Sequence, residues 1–148
     1  MCDPLIRRAN LSDADGLAAC IEAAYARYRE RVADLPAVSE GIEAEVERNQ
    51  VWVVLEGTDI VGGLFLVAQP DHLKLANLAV HPAHGGKGVG RQLITLAEQE
   101  ASRQEYEEMR LVTHVLMPEN IAIYAHLGWE ETERSGNSVL MRKRLGVA

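Results

Sequence analysis

The chain has 148 residues, the size of one domain. Hydrophobic residues make up 47% and charged residues 25%, enough to build a core without disulfides or a structural metal, which excludes a disordered chain. Lys and Arg number 15 against 22 Asp and Glu, a net charge of −7 with no long basic run; this counts against a general nucleic-acid binder and mildly favours cationic substrates such as amines.

Leu5 and Ile6 open a short first strand. Ser12 reads as an N-cap, with Asp13 and Asp15 in the favourable first turn. Leu17, Cys20, Ile21, Ala24 and Tyr28 follow as the stripe of an amphipathic helix, which Leu35-Pro36 breaks. Ser39 to Asn49 is a weaker helix with Ile42 and Val46 on one face. Val51–Leu55 is β-branched and aromatic, a buried strand, and Ile60–Ala68 forms a hairpin with it over the turn Glu56-Gly57-Thr58-Asp59. Leu73–Val80 is the next strand, stopped by Pro82. A glycine-rich segment, Gly85 to Gly90, leads into a helix from Val89 to Glu107 with the stripe Val89, Leu93, Leu96, Ala97, Ala101. Met109–Val115 is a strand, and Pro118 begins a short helix that ends at Gly128, a C′ glycine. Trp129–Thr132 and Val139–Arg144 close the chain as strands joined by Ser135-Gly136-Asn137. Interleaved strands and helices around one sheet predict a mixed α/β (α+β) domain spanning residues 1–148.

Cys2 and Cys20 form no C-x-x-C pair and read as reduced thiols. No apolar run reaches the ~18 residues that span a bilayer, and residues 1–8 contain no signal-peptide core. The expectation is a cytoplasmic protein with no membrane or nucleic-acid partner. His81 and His84 lack a third ligand at sensible spacing, so no metal is expected.

The most informative stretch is Gly85-Gly86-Lys87-Gly88-Val89-Gly90-Arg91. It follows a strand and opens a helix. Glycines let backbone N–H groups approach a ligand closely, and a helix N-terminus supplies orphan donors and partial positive charge. Lys87 and Arg91 add cationic charge. The pattern predicts a phosphate site. Gly88 follows Lys87 where a Walker A loop needs Ser or Thr, and Arg91 stands where the dinucleotide fingerprint needs glycine.

Leu78 to Leu93 (LAVHPAHGGKGVGRQL) resembles the acyl-CoA-binding motif of GNAT-type N-acetyltransferases: an apolar strand, V-x-P, then Q/R-x-x-G-x-G/A. Met117 to Trp129 (MPENIAIYAHLGW) resembles that family's C-terminal motif, in which Asn, an apolar helix, Tyr and L-G-F/W follow one another. The two motifs occur in the family's order, and the resemblance covers essentially the whole chain. Gly85 departs from it, standing where the family has Gln or Arg. The resemblance implies the GNAT fold, a mostly antiparallel sheet of six to seven strands flanked by four helices. It also implies transfer of an acetyl group from acetyl-CoA to a primary amine of a small molecule or protein, by direct attack through a tetrahedral intermediate. The alternative is a CoA-binding module without catalysis. A third reading is a nucleotide-binding phosphate loop.

By the same resemblance, Leu78, Ala79 and Val80 contact the pantetheine and thioester, with the Leu78 or Ala79 N–H as oxyanion donor. Gly85, Gly86, Lys87, Gly88, Val89, Gly90 and Arg91 hold the diphosphate. Tyr124 is the general acid for the departing thiolate as well as a CoA contact. Asn120 is both N-cap and CoA contact. No Glu stands on the strand Leu73–Val80, where several relatives carry one. Asn77 is placed to orient a water or the amine, and His114 is a base candidate of suitable pKa, with His72 and His81 as further options. Tyr25 and Tyr28 line the acceptor pocket, and Arg27, Arg29 and Arg31 facing it would suit an acceptor bearing carboxylate or phosphate. The apolar final strands are a candidate surface for a homodimer.

Overall fold

The computed structural model describes residues 5–29, 41–84, 88–114 and 118–145. The strands are β1 (Leu5–Arg8), β2 (Gln50–Glu56), β3 (Asp59–Ala68), β4 (Leu73–Val80), β5 (Glu108–His114), β6 (Glu130–Ser135) and β7 (Ser138–Arg144). They form one sheet in the order β1-β2-β3-β4-β5-β7-β6. The helices are α1 (Ala14–Arg29), α2 (Ile42–Arg48), α3 (Val89–Arg103) and α4 (Pro118–His126). Every neighbouring pair of strands is antiparallel except β4 and β5. This is the mostly antiparallel, helix-flanked sheet that the sequence led us to expect.

Helices cover both faces of the sheet where β2, β3 and β4 lie, and the alternation along β2 shows how. Val51 and Val53 face α1, where they pack with Leu17, Ile21, Phe65 and Ala79. Val54 faces α3, packing with Leu93, Ala97 and Ala101. Leu17, Ile21 and Leu93 are fully buried, each contributing about 2 kcal/mol relative to an exposed side chain. Gly63 is fixed by this packing, since a Cβ there would meet Leu17 Cδ2 at 2.7 Å.

The helix boundaries correct several expectations. The N-terminal cap is Asn10, not Ser12: Asn10 Oδ1 accepts from the Ser12 N–H at 3.1 Å, and the Asn10 N–H donates to Asp13 Oδ2 at 2.9 Å. Asn10 wins because it stands three residues before a carboxylate, which closes a capping box. Asp13 is also gripped by Arg7 through two bonds of 2.7 and 3.0 Å, tying β1 to the helix start. Helix α3 stops at Arg103 rather than at Glu107. Glu105 there adopts φ +66, with Tyr106 N–H donating to Ala101 O at 2.9 Å and Glu105 N–H to Ser102 O at 3.0 Å. That is a Schellman ending built on a glutamate, so no glycine announces it. Gly128 does end α4 in the same manner, with φ +96 and Trp129 N–H bonded to Tyr124 O at 3.0 Å. Trp129 belongs to the core before β6, which runs on to Ser135 rather than ending at Thr132. The second helix is described from Ile42; Ser39 lies outside the described residues.

Lys143 on β7 crosses to α3, its Nζ 2.6 Å from Glu98 Oε1, and also donates to Leu127 O at 2.7 Å behind α4. Among the described residues no helix is long and apolar enough to cross a membrane.

Candidate active site

The parallel ladder between β4 and β5 registers only Leu73 with Met109 and Lys74 with Arg110. Each strand then runs on, β4 paired with β3 as far as Val80 and β5 paired with β7 as far as His114. The sheet therefore opens between residues 75–80 and 111–114. Strand edges left in this way present backbone N–H and C=O groups that water or a ligand must satisfy.

A β-bulge decides what faces the opening. Phe65 pairs with Asn77 and Leu66 with Leu75, so Ala76 is the extra residue. Leu73 and Leu75 lie in the α3-side core, whereas Ala79 lies in the α1-side core, and Leu78 and Val80 pack toward α3. One inserted residue thus reverses the alternation and turns Asn77 to the α1 face. There Tyr25 Oη, from α1, donates to Asn77 Oδ1 at 3.0 Å.

Tyr124 stands on α4, which packs on β5 and β6, and lies within electrostatic reach of Tyr25. Its ring meets Trp129 edge to face, 5.6 Å between centroids at 63°. Burial above all, and then the neighbouring Tyr25, push the Tyr124 phenol well above its ordinary value. It stays protonated through the physiological range.

At the end of β4, α3 begins on Gly88, held at φ +80. L side chains avoid this region at a cost of roughly 1–2 kcal/mol, so glycine is required. Among the described residues no side chain caps the helix start, and the first amides of a helix look to a partner outside it. Gly90 differs, since a Cβ there would rest on Val80 Cγ2 at an ordinary 3.7 Å. Among the described residues no neighbour crowds that position.

The remaining candidates are placed as follows. Val89 is buried and Arg91 is exposed on the first turn of α3. Gly85, Gly86 and Lys87 lie outside the described residues. Asn120 is not an N-cap, because α4 opens at Pro118 and Asn120 falls within its first turn; proline suits a first helical position. His114 ends β5 opposite Ser138, and Tyr28 lies on α1; the side chains of both lie outside the description. His72 sits at the opposite end of β4, bonded to Asp71 at 2.7 Å, and His81 Nδ1 accepts from the Ala83 N–H. Among the described residues no group of three or more His, Cys, Asp or Glu side chains is arranged to hold a metal.

The family model of the acetyltransferase (GNAT) domain matches residues 47–131, more than half of the chain. The chain belongs to the GNAT acetyltransferases. It is 28% identical over 141 residues to the uncharacterised N-acetyltransferase YjgM of Escherichia coli, covering 88% of this chain and 84% of that one. It is 32% identical over 95 residues to N-acetyltransferase 8 of Rattus norvegicus, 60% of this chain and 43% of the relative. In fold it is similar to the PaiA N-acetyltransferase of Thermoplasma acidophilum, solved with coenzyme A, at a TM-score of 0.84 and 19% identity over 97% of this chain and 99% of that one.

Two features of this GNAT site escape the motifs. The Ala76 bulge has a signal in the sequence: apolar residues fall on odd positions at Leu73 and Leu75 and on even ones at Leu78 and Val80. The pairing of Tyr25 with Asn77, 52 positions apart, has none.

Proposed function

We propose that the chain transfers an acetyl group from acetyl-CoA to a primary amine, the amine attacking the thioester directly through a tetrahedral intermediate. The observation that carries this reading is the opening between β4 and β5, which has the glycine start of α3 at its end, Asn77 on its side and Tyr124 within electrostatic reach of Tyr25. The backbone amides at Gly88–Arg91 suit a diphosphate, and a ligand pressed against the helix start accounts for Gly90, which no described neighbour crowds. The Thermoplasma relative with coenzyme A in its structure supports the same carrier.

Acetyl-CoA supplies the activated acyl group and a thiolate leaving group. The chain's own residues do the rest. The Leu78 or Ala79 N–H, on the open edge of β4, donates to the developing oxyanion. Tyr124, protonated, donates to the departing sulfur. A free alkylamine has a pKa near ~10 and must shed a proton before it attacks; a water held near Asn77, or His114, accepts it. Cys20 offers no covalent route, because burial pushes its thiol up to about 11 and leaves it a poor nucleophile.

The test combines calorimetry with free coenzyme A and a thiol-release assay with acetyl-CoA and a panel of amines. Binding together with amine-dependent thiol release is expected. Binding with no turnover on any amine would make the chain a CoA-binding module instead, and no heat at millimolar coenzyme A would remove the reading altogether.

A further inference from the structure

We propose that the acceptor is an α-amine, an amino acid derivative or the amino terminus of a peptide, that carries an apolar side chain; this rests on the transfer reading above. The first observation is the state of Asn77. Its Oδ1 is engaged by the Tyr25 hydroxyl at 3.0 Å, so the capacity it keeps for a ligand is chiefly that of a donor, through the two Nδ2 hydrogens. A donor aimed at the reacting nitrogen would occupy the lone pair that must attack. The same donor serves well if the substrate has an oxygen two carbons away from the amine, as every α-amino carbonyl or carboxylate compound does. Asn77 then holds the oxygen and leaves the nitrogen to the thioester.

The second observation is the opposite bank. On β5, Met109 and Leu111 enter the α3-side core, so Val112 lies on the face that Asn77 and Tyr25 share. Val112 is 53% exposed. It stands directly across from Leu140 on β7, whose neighbours Val139 and Met141 are likewise turned to the core. Val112, exposed, and Leu140, half-buried, together offer aliphatic surface to a side chain of the acceptor at the edge of the opening. Along the same face Arg110 is held by Glu108, and Arg142 by Glu130 at 2.8 Å. Those carboxylates are engaged and do not call for a second ammonium group. Glu133, registered with Leu140, is exposed at the outer side, and an extended polyamine is the competing occupant that the experiment must separate.

The experiment measures kcat/KM for leucinamide, a leucine-initiated tripeptide, glycinamide, Nα-acetyl-lysinamide and spermidine, with coenzyme A affinity followed by calorimetry. Leucinamide and the peptide are expected to exceed glycinamide and Nα-acetyl-lysinamide by about 10-fold, the discrimination an apolar contact supplies. Val112→Ser should bring the leucine-to-glycine ratio close to one while coenzyme A Kd stays unchanged, which also shows the variant is folded. A ratio that survives this substitution, or spermidine or Nα-acetyl-lysinamide as the best acceptor, overturns the α-amine assignment and leaves acetyl transfer standing. If no amine is acetylated at all, although coenzyme A binds, the transfer reading falls with it.

Discussion

Tyr124 draws its chemistry from its surroundings. A phenol whose deprotonated form is penalised by burial remains a donor through the physiological range. Its ring contact with Trp129 does not involve the hydroxyl. Tyr124→Phe therefore keeps the edge-to-face pair and removes one proton. Steady-state kinetics should show kcat lowered about 100-fold, within the usual range for losing a general acid, and KM for acetyl-CoA little changed. An unaltered kcat would assign the proton to another donor. The hydroxyl of Tyr25 has a different task, since it fixes the amide of Asn77 by one bond between α1 and β4.

At the scale of elements, the site depends on two departures from regular structure, the Ala76 bulge and the left-handed start of α3. Gly88→Ala forces a side chain into φ +80; about 1 kcal/mol of stability should be lost in denaturant unfolding, and coenzyme A should bind more weakly in calorimetry. These departures also mark where the sequence can be read. The strand Gln50–Glu56 was legible from its β-branched run and Leu73–Val80 from its apolar content, and the α3 stripe from Val89 to Ala101 because burial imposes a period on it. The Schellman turn on Glu105 was not, because its left-handed residue is not a glycine. Asn10 was passed over for Ser12 because both are good caps and only the distance to Asp13 separates them. The candidate site was readable where one motif holds it, along β4 and the α3 start. It was opaque where two distant segments meet, as Tyr25 and Asn77 do, since long-range pairs leave no local period.

For the whole molecule, charge sets the pH limits of stability. Arg7, through its hydrogen bonds, holds the Asp13 carboxyl below its ordinary value, and the same applies to Glu131 beside Arg134 and Asp71 beside His72. Lowered carboxylates stabilise the fold above their ordinary pKa of about 4, and that contribution is lost as pH falls through the folded values. Asp13 carries most of it, being buried while the other two are exposed. Thermal or denaturant unfolding of Asp13→Asn should show about 1 kcal/mol less stability at neutral pH and a flatter decline below pH ~4. An acid limb as steep as the parent's would place the loss in other carboxylates. At the alkaline end the sign reverses: Tyr124 favours the fold below its ordinary pKa near ~10, and that contribution fades as pH climbs beyond it. The divided sheet has a mechanical consequence as well. Two rungs between β4 and β5 make a short seam, and a seam that short acts as a hinge for two stiff panels. The ion pair from Lys143 on β7 to Glu98 on α3 spans the seam, because α3 packs on β3 and β4 as well as on β5. A lysine on the last strand, which belongs to neither motif, thereby bears on how the jaw is held.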